Sequence, residues 1–129
     1  MTTKYYKISD VTSEQNKRVL VEAGEIIRRG GLVVFPTETV YGLGGDATSS
    51  ASARAIYAAK GRPADNPLII HVARPSDAAL YTRTNPVFDR LAARFMPGPL
   101  TVILPSLPSI PTEVRAGLET VAVRCPSHP

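Results

Sequence analysis

Leu32-Val33-Val34-Phe35-Pro36-Thr37-Glu38-Thr39-Val40-Tyr41-Gly42-Leu43-Gly44-Gly45-Asp46-Ala47 joins a continuous apolar run to a loop rich in glycine and hydroxyl groups. Residues 32–35, β-branched at two positions and closed by Pro36, read as a buried strand. The loop at residues 36–47 then leaves the carboxyl end of that strand, where open α/β sheets place their ligands. Its three glycines permit close backbone approach and positive φ, while Thr37, Thr39 and Tyr41 supply hydroxyls. Residues 42–47 formally fit a dinucleotide-binding fingerprint. That reading is set aside, because the strand ends well before Gly42 instead of running into it. On these residues alone, a structural glycine-rich turn and a ligand-binding loop both stand.

Upstream, Ser13 can cap a helix over residues 14–29. Val19, Leu20, Ala23, Ile26 and Ile27 form one apolar face, and Gly30-Gly31 stops it. Residues 5–8 are a short strand candidate. Downstream, Ser49 or Ser50 opens a helix to about Lys60, with alanines on its buried side and Ile56 as the large anchor. Residues 68–72 read as a second buried strand. Asn85-Pro86 is a cap and first-turn pair for a helix whose face is Phe88, Leu91, Ala92 and Phe95, ended by Pro97-Gly98-Pro99. Residues 100–104 and 121–124 are the last strands. Strands alternating with helices predict an α/β (α+β) sheet with helices packed on it.

The 129 residues suit one domain, residues 1–129, and 43% hydrophobic with 20% charged residues excludes a disordered or low-complexity chain. The chain is expected to be incomplete at its C-terminus, because no helix follows the strand at 121–124. No apolar run reaches membrane-spanning length, and the start lacks the apolar stretch of a signal peptide. A single cysteine, Cys125, can form neither an internal disulfide nor a thiolate cage, so a reducing, cytoplasmic setting is expected. The net charge of +4 is uneven: residues 54–94 hold seven basic and three acidic residues, and the remainder balances at eight each. Such a patch suits a nucleotide or nucleic acid, or is simply a solvated face.

Three further features carry chemistry. Lys60-Gly61-Arg62-Pro63-Ala64-Asp65-Asn66-Pro67 sets an ammonium, a guanidinium and an amide at a helix exit, a set suited to a phosphate. No Walker A motif is present. His71, in the apolar run 68–72, is either a satisfied core histidine or a ligand group, without a second histidine or cysteine at metal spacing. Strand alternation places Thr120, Ala122 and Arg124 on one face. Arg124 then needs an anionic partner, which a substrate carboxylate or an internal carboxylate can supply. There is no G-x-S-x-G, H-E-x-x-H or C-x-x-C, and Cys125 lacks an evident base, so nucleophilic thiol or serine chemistry is not expected.

Together these stretches resemble the YrdC-like family of threonylcarbamoyl-AMP synthases. Residues 36–44 resemble its signature loop, and Lys60-Gly61-Arg62 with Asn66-Pro67-Leu68 its K-x-R motif. Phe95-Met96-Pro97-Gly98-Pro99-Leu100-Thr101 resembles its W-P-G-P-x-T segment, and Val121-Ala122-Val123-Arg124-Cys125-Pro126 its V-x-x-R-x-P strand. The resemblance implies a twisted mixed sheet with helices around it and a concave basic cleft. It also implies synthesis of threonylcarbamoyl-AMP and pyrophosphate from L-threonine, bicarbonate and ATP, for threonylcarbamoyladenosine in tRNA. Thr39, His71 and Arg124 would contact threonine. Arg62, Asn66 and Thr120 would contact ATP, and Lys60 and Arg62 would act in catalysis. Mg²⁺ would accompany ATP, with no protein side chain assigned to the metal. Transfer proteins acting on tRNA would be the downstream partners. The family's later S-x-N motif is missing here. The alternatives are a non-catalytic module for double-stranded RNA or tRNA, an inactive fragment, or a carbamoyl-transfer domain from a hydrogenase-maturation protein.

Overall fold

A computed structural model describes residues 3–61 and 67–127. Helix α1 (Glu14–Arg28) starts where Ser13 Oγ accepts the N–H of Asn16 at 3.2 Å. Strands β1 (Val33–Pro36) and β2 (Tyr41–Gly44) form an antiparallel hairpin pairing Phe35 with Gly42 and Pro36 with Tyr41. Helix α2 (Ser50–Lys60) is capped by Ser49, whose Oγ accepts the N–H of Ser52 at 3.1 Å. Gly61, at φ +62°, turns the chain out of α2 in the left-handed region that glycine adopts without strain. Strand β3 (Ile69–His71) and a 3₁₀ helix (Pro75–Leu80) follow. Helix α3 (Pro86–Phe95) begins at Asn85, whose Oδ1 accepts from Phe88 N–H at 2.8 Å. Strand β4 (Thr101–Pro105), the short α4 (Thr112–Arg115) and β5 (Thr120–Arg124) complete the chain.

The main sheet has order β3-β5-β4, parallel between β3 and β5 and antiparallel between β4 and β5. It is therefore a mixed α/β sheet, as expected. Alternation gives it two unlike faces. Ile70, Leu104, Val121 and Val123 point into a core shared with Ala53, Ala78, Phe88, Ala92, Met96, Ile110, Val114 and Cys125. Each fully buried Val, Leu or Ile side chain there contributes roughly 1.5–3 kcal/mol. The other face carries Ile69, His71, Thr101, Ile103, Thr120, Ala122 and Arg124, and Ile103 remains 69% exposed. No helix among the described residues is long and apolar enough to cross a membrane.

Several expectations need correction. Residues 5–8 form no strand. Instead Lys4 Nζ donates to Glu22 at 2.6 Å and Tyr6 Oη at 3.0 Å, which ties the segment to α1 by side chains. The run at 32–35 is not buried throughout, since Val34 is 66% exposed. Its partner is a single strand and only one face of the hairpin is covered. Part of the stretch read as loop, Tyr41–Gly44, is strand β2. The 3₁₀ helix and α4 carried no periodic signal because each is too short to show one. His128 and the segment Arg62-Pro63-Ala64-Asp65-Asn66 lie outside the described residues.

Candidate functional site

The glycines of β2 serve contact, not positive φ. A Cβ on Gly44 would lie 2.7 Å from Phe35 Cε1, and one on Gly42 would lie 3.2 Å from Phe35 Cζ. The Phe35 ring therefore lies down over the hairpin because these two positions lack side chains. From there it meets His71 edge-on, with ring centroids 5.6 Å apart and planes at 74°. Phe35 is thus the link between hairpin and main sheet at this point, a role its sequence setting did not suggest.

Between β1 and β2 the chain turns through Thr37-Glu38-Thr39-Val40. Thr37 Oγ1 donates to Val40 O at 2.6 Å and stands 3.2 Å from Thr39 Oγ1. The Thr37 N–H closes the same turn on Val40 O at 3.2 Å. This turn sets Glu38 beside Thr39 and aims its carboxylate at the main sheet, where Oε1 accepts from Nη2 of Arg124. Glu38 belongs to a sequence motif, yet residue type and spacing assigned it no role. The available signal was an arginine ending a strand that needed an anion.

Arg124 and His71 are register partners on β5 and β3, and Thr101 of β4 completes the same cross-strand row. The Nε of Arg124 points to Gly98 O at 3.5 Å, the long limit of a hydrogen bond. The Gly98 N–H in turn donates to Cys125 O at 2.8 Å. The Pro97-Gly98-Pro99 turn therefore backs the arginine. A Cβ on Gly98 would strike Phe95 O at 2.6 Å, so this turn requires glycine. The side chains of Arg124 and Glu38 are 12% and 20% exposed, a shielded pair at the rim of the open face.

Charge states follow from these contacts. Burial alone would push the Glu38 carboxyl up. Backbone hydrogen bonds from Glu38 itself and Ser127, with the Arg124 guanidinium, hold it below the usual carboxylate range. Burial lowers the His71 imidazole, the Arg124 charge lowers it further, and Glu38 opposes both. His71 is therefore neutral at pH 7, and its buried Nδ1 has no hydrogen-bond partner among the described residues. Burial raises the Cys125 thiol, whose Sγ lies 3.6 Å from Ala73 O, so no thiolate forms.

The structure thus brings three predicted residues to one rim. Arg124 and His71 share a sheet row, and Thr39 arrives on the turn that Glu38 fastens to Arg124. Thr120 lies on the same face four residues along β5, about 13 Å from Arg124 at an extended-strand rise. Lys60 closes α2 with an exposed side chain and no hydrogen bond or ion pair to the described residues. Arg62 and Asn66 lie outside the described residues. Among the described residues no three His, Cys, Asp or Glu side chains group to hold a metal ion. The rim offers one guanidinium, one carboxylate, a neutral imidazole and a hydroxyl, which together can bind a small polar molecule carrying both charges.

Comparison with known proteins bears on what that molecule is. The profile of the Sua5/YciO/YrdC family, described as "Telomere recombination", matches residues 25–129. The chain is 49% identical over 112 residues to the threonylcarbamoyl-AMP synthase of Pyrococcus abyssi, covering 86% of this chain and 33% of that protein. It is 47% identical over 135 aligned residues to the threonylcarbamoyl-AMP synthase of Bacillus subtilis, covering all of this chain and 38% of that protein. The crystal structure of P. abyssi Sua5 complexed with L-threonine superposes with a TM-score of 0.81 at 49% identity, over 87% of this chain and 33% of that one. The chain spans about a third of the length of these curated relatives, 33% and 38%.

Proposed function

We propose, since this chain belongs to the Sua5/YciO/YrdC family, that its activity is that of an L-threonylcarbamoyladenylate synthase. The observation that carries this reading is the rim where His71 and Arg124 share a row and the Thr39 turn is fastened to them by Glu38. A solved relative holds L-threonine, and this rim has the chemistry an amino acid demands. Arg124 is the partner for the threonine carboxylate. Thr39 and the neutral His71 are proposed for the polar groups of threonine.

In the proposed reaction the threonine amine adds to bicarbonate, forming a carbamate and releasing water. The carbamate oxygen then attacks the α-phosphorus of ATP and pyrophosphate leaves. Neither step needs a protein nucleophile, only reactants held together and charge stabilised on the phosphates. Lys60 and Arg62 are proposed for that stabilisation, and Arg62, Asn66 and Thr120 for the nucleotide. These are cations and neutral donors suited to phosphate and base, not a carboxylate cage. Mg²⁺ is accordingly proposed to arrive on the phosphates of ATP as part of the substrate. The product would serve threonylcarbamoylation of tRNA by transfer proteins, in the cytoplasm where ATP and tRNA are present. Residues 1–129 are proposed as a single domain.

The test is pyrophosphate release from ATP with Mg²⁺, bicarbonate and L-threonine, beside calorimetric binding of L-threonine. Threonine-dependent release that is lost in Arg124→Ala supports the reading. Absence of both threonine binding and threonine-dependent release would falsify it. A second reading, a module for structured RNA, draws on the basic excess of residues 54–94, of which Arg90 and Arg94 stand exposed on α3. It requires RNA affinity that falls steeply with salt.

A further inference from the structure

We propose that Glu38 is the acceptor for the ammonium group of the bound amino acid, so that the Glu38–Arg124 pair reads a zwitterion as a unit. This rests on the threonine reading above and names a residue that reading leaves without a role.

The argument starts from the unfilled capacity of the pair. Glu38 engages Arg124 through one nitrogen, Nη2, and Nε reaches Gly98 O only at 3.5 Å. Nη1 has no partner among the described residues. A guanidinium carries five N–H donors in a planar fork, so a second carboxylate can bind without expelling the first.

Charge then decides what that second carboxylate must bring with it. The pair is neutral overall, with the Arg124 side chain only 12% exposed, His71 uncharged beside it and the Phe35 ring against His71. A simple monoanion would place two carboxylates on one guanidinium and leave a negative charge unbalanced, which is unfavourable. A zwitterion adds no net charge. Its carboxylate takes the free side of Arg124 while its ammonium meets the Glu38 carboxylate, giving four alternating charges. Glu38 suits this role because its backbone and guanidinium contacts keep it ionised. It orients the nitrogen in its resting ammonium form, which must release a proton to solvent before it can act as the nucleophile of the proposed reaction; no proton transfer to Glu38 is implied.

The experiment compares three ligands by calorimetry at pH 7 on this chain, its Glu38→Gln variant and its Glu38→Asp variant. The ligands are L-threonine, 2,3-dihydroxybutanoate, in which hydroxyl replaces the ammonium, and L-threoninamide, which lacks the carboxylate. Circular dichroism confirms that each variant keeps the fold. The wild-type chain is expected to favour L-threonine over both analogues. Glu38→Gln is expected to weaken L-threonine by roughly tenfold or more, the effect of losing a charge-assisted hydrogen bond. The same change should not weaken 2,3-dihydroxybutanoate and should tighten it, because the like charge of Glu38 is removed, and Glu38→Asp should recover part of the L-threonine loss. Equal or tighter L-threonine binding by Glu38→Gln would show Glu38 to be a competitor for Arg124 and overturn the proposal. Equal loss of both carboxylate ligands would show that Glu38 only props Arg124, and would overturn the proposal as well. Glycine, L-alanine and L-serine complete the set. If wild type prefers one of these and Glu38→Gln weakens it alike, the zwitterion site stands and the threonine reading falls. If wild type binds no α-amino acid, both fall.

Discussion

The hairpin and the main sheet supply complementary halves of one site and are built in opposite ways. Strands β3, β5 and β4 hold His71 and Arg124 on a sheet whose other face is core. Strands β1 and β2 hold Thr39 and Glu38 on a two-stranded ribbon in which neither strand has a fully buried residue. Two-stranded ribbons are marginal alone in water. The hairpin reaches the site by specific contacts, the Phe35 edge on His71 and the Glu38 carboxylate on Arg124 and the Ser127 backbone. Position on the main sheet is thus set by packed volume. Position on the hairpin is set by one ring and the polar contacts of one carboxylate. The two halves should therefore respond differently to the same kind of injury.

The largest effect is expected in the main half. Ile110 is wholly buried against the sheet, and Ile110→Ala should cost about 2–5 kcal/mol by denaturant unfolding, with threonine affinity lost as the fold is lost. A loss below about 0.5 kcal/mol, the scale of a surface substitution, would break the claim that core volume holds this half. Glycine substitutions give the next effect. Gly98→Ala drives a Cβ to 2.6 Å from a backbone oxygen, and about 1–3 kcal/mol of destabilisation is expected with weaker threonine binding. Gly44→Ala meets only the Phe35 ring, which can move. It should cost less stability than Gly98→Ala yet change the His71 titration seen by NMR. A reversed order of stability loss would contradict this difference between the two halves.

Titration sharpens the comparison further. His71 is lowered from an ordinary 6.5, so as pH falls the unfolded chain binds that proton first and stability declines. Glu38 is lowered from an ordinary 4.5, so its contribution is present above that value and lost as pH falls through the folded pKa. The melting temperature should therefore fall in two stages as pH is lowered, starting near pH 6.5 and again below about 4.5. Asp10, Glu22 and Glu113, also lowered, join the second stage. A melting temperature that rises between pH 7 and pH 5 would contradict the burial of His71. The smallest effect belongs to the hairpin surface. Val34→Ala, at a 66% exposed position, should stay within about 0.5 kcal/mol and leave threonine binding intact.

Much of the fold was legible because its signals are local. Ser13 and Asn85 accept the N–H three residues on, as predicted, and of the two candidates Ser49 and Ser50 it is Ser49 that does so. Gly61 stops α2 in the left-handed region for the reason glycine usually does. Strand β2 escaped because Tyr41–Gly44 has two glycines, which disfavour a strand unless a neighbour uses the space they leave. That neighbour is the ring of Phe35. Residues 5–8 read as a short strand candidate, and no partner strand exists for it in the described fold.

The candidate site divides along the same line. Thr39, His71 and Arg124 were named from residue type, motif and strand alternation, and their residue types determine what chemistry the rim can offer. The sequence alone also required that Arg124 meet an anion, since a shielded guanidinium without one is costly. Which anion it meets was decided only by tertiary structure. Glu38 lies 86 residues away in sequence, and no local rule pairs residues at that separation. The parallel register that sets His71 against Arg124, and the ring that settles on two glycines, likewise depend on long-range packing. Local preference is written residue by residue along the chain, whereas the meeting of distant side chains exists only once the core has brought the strands together.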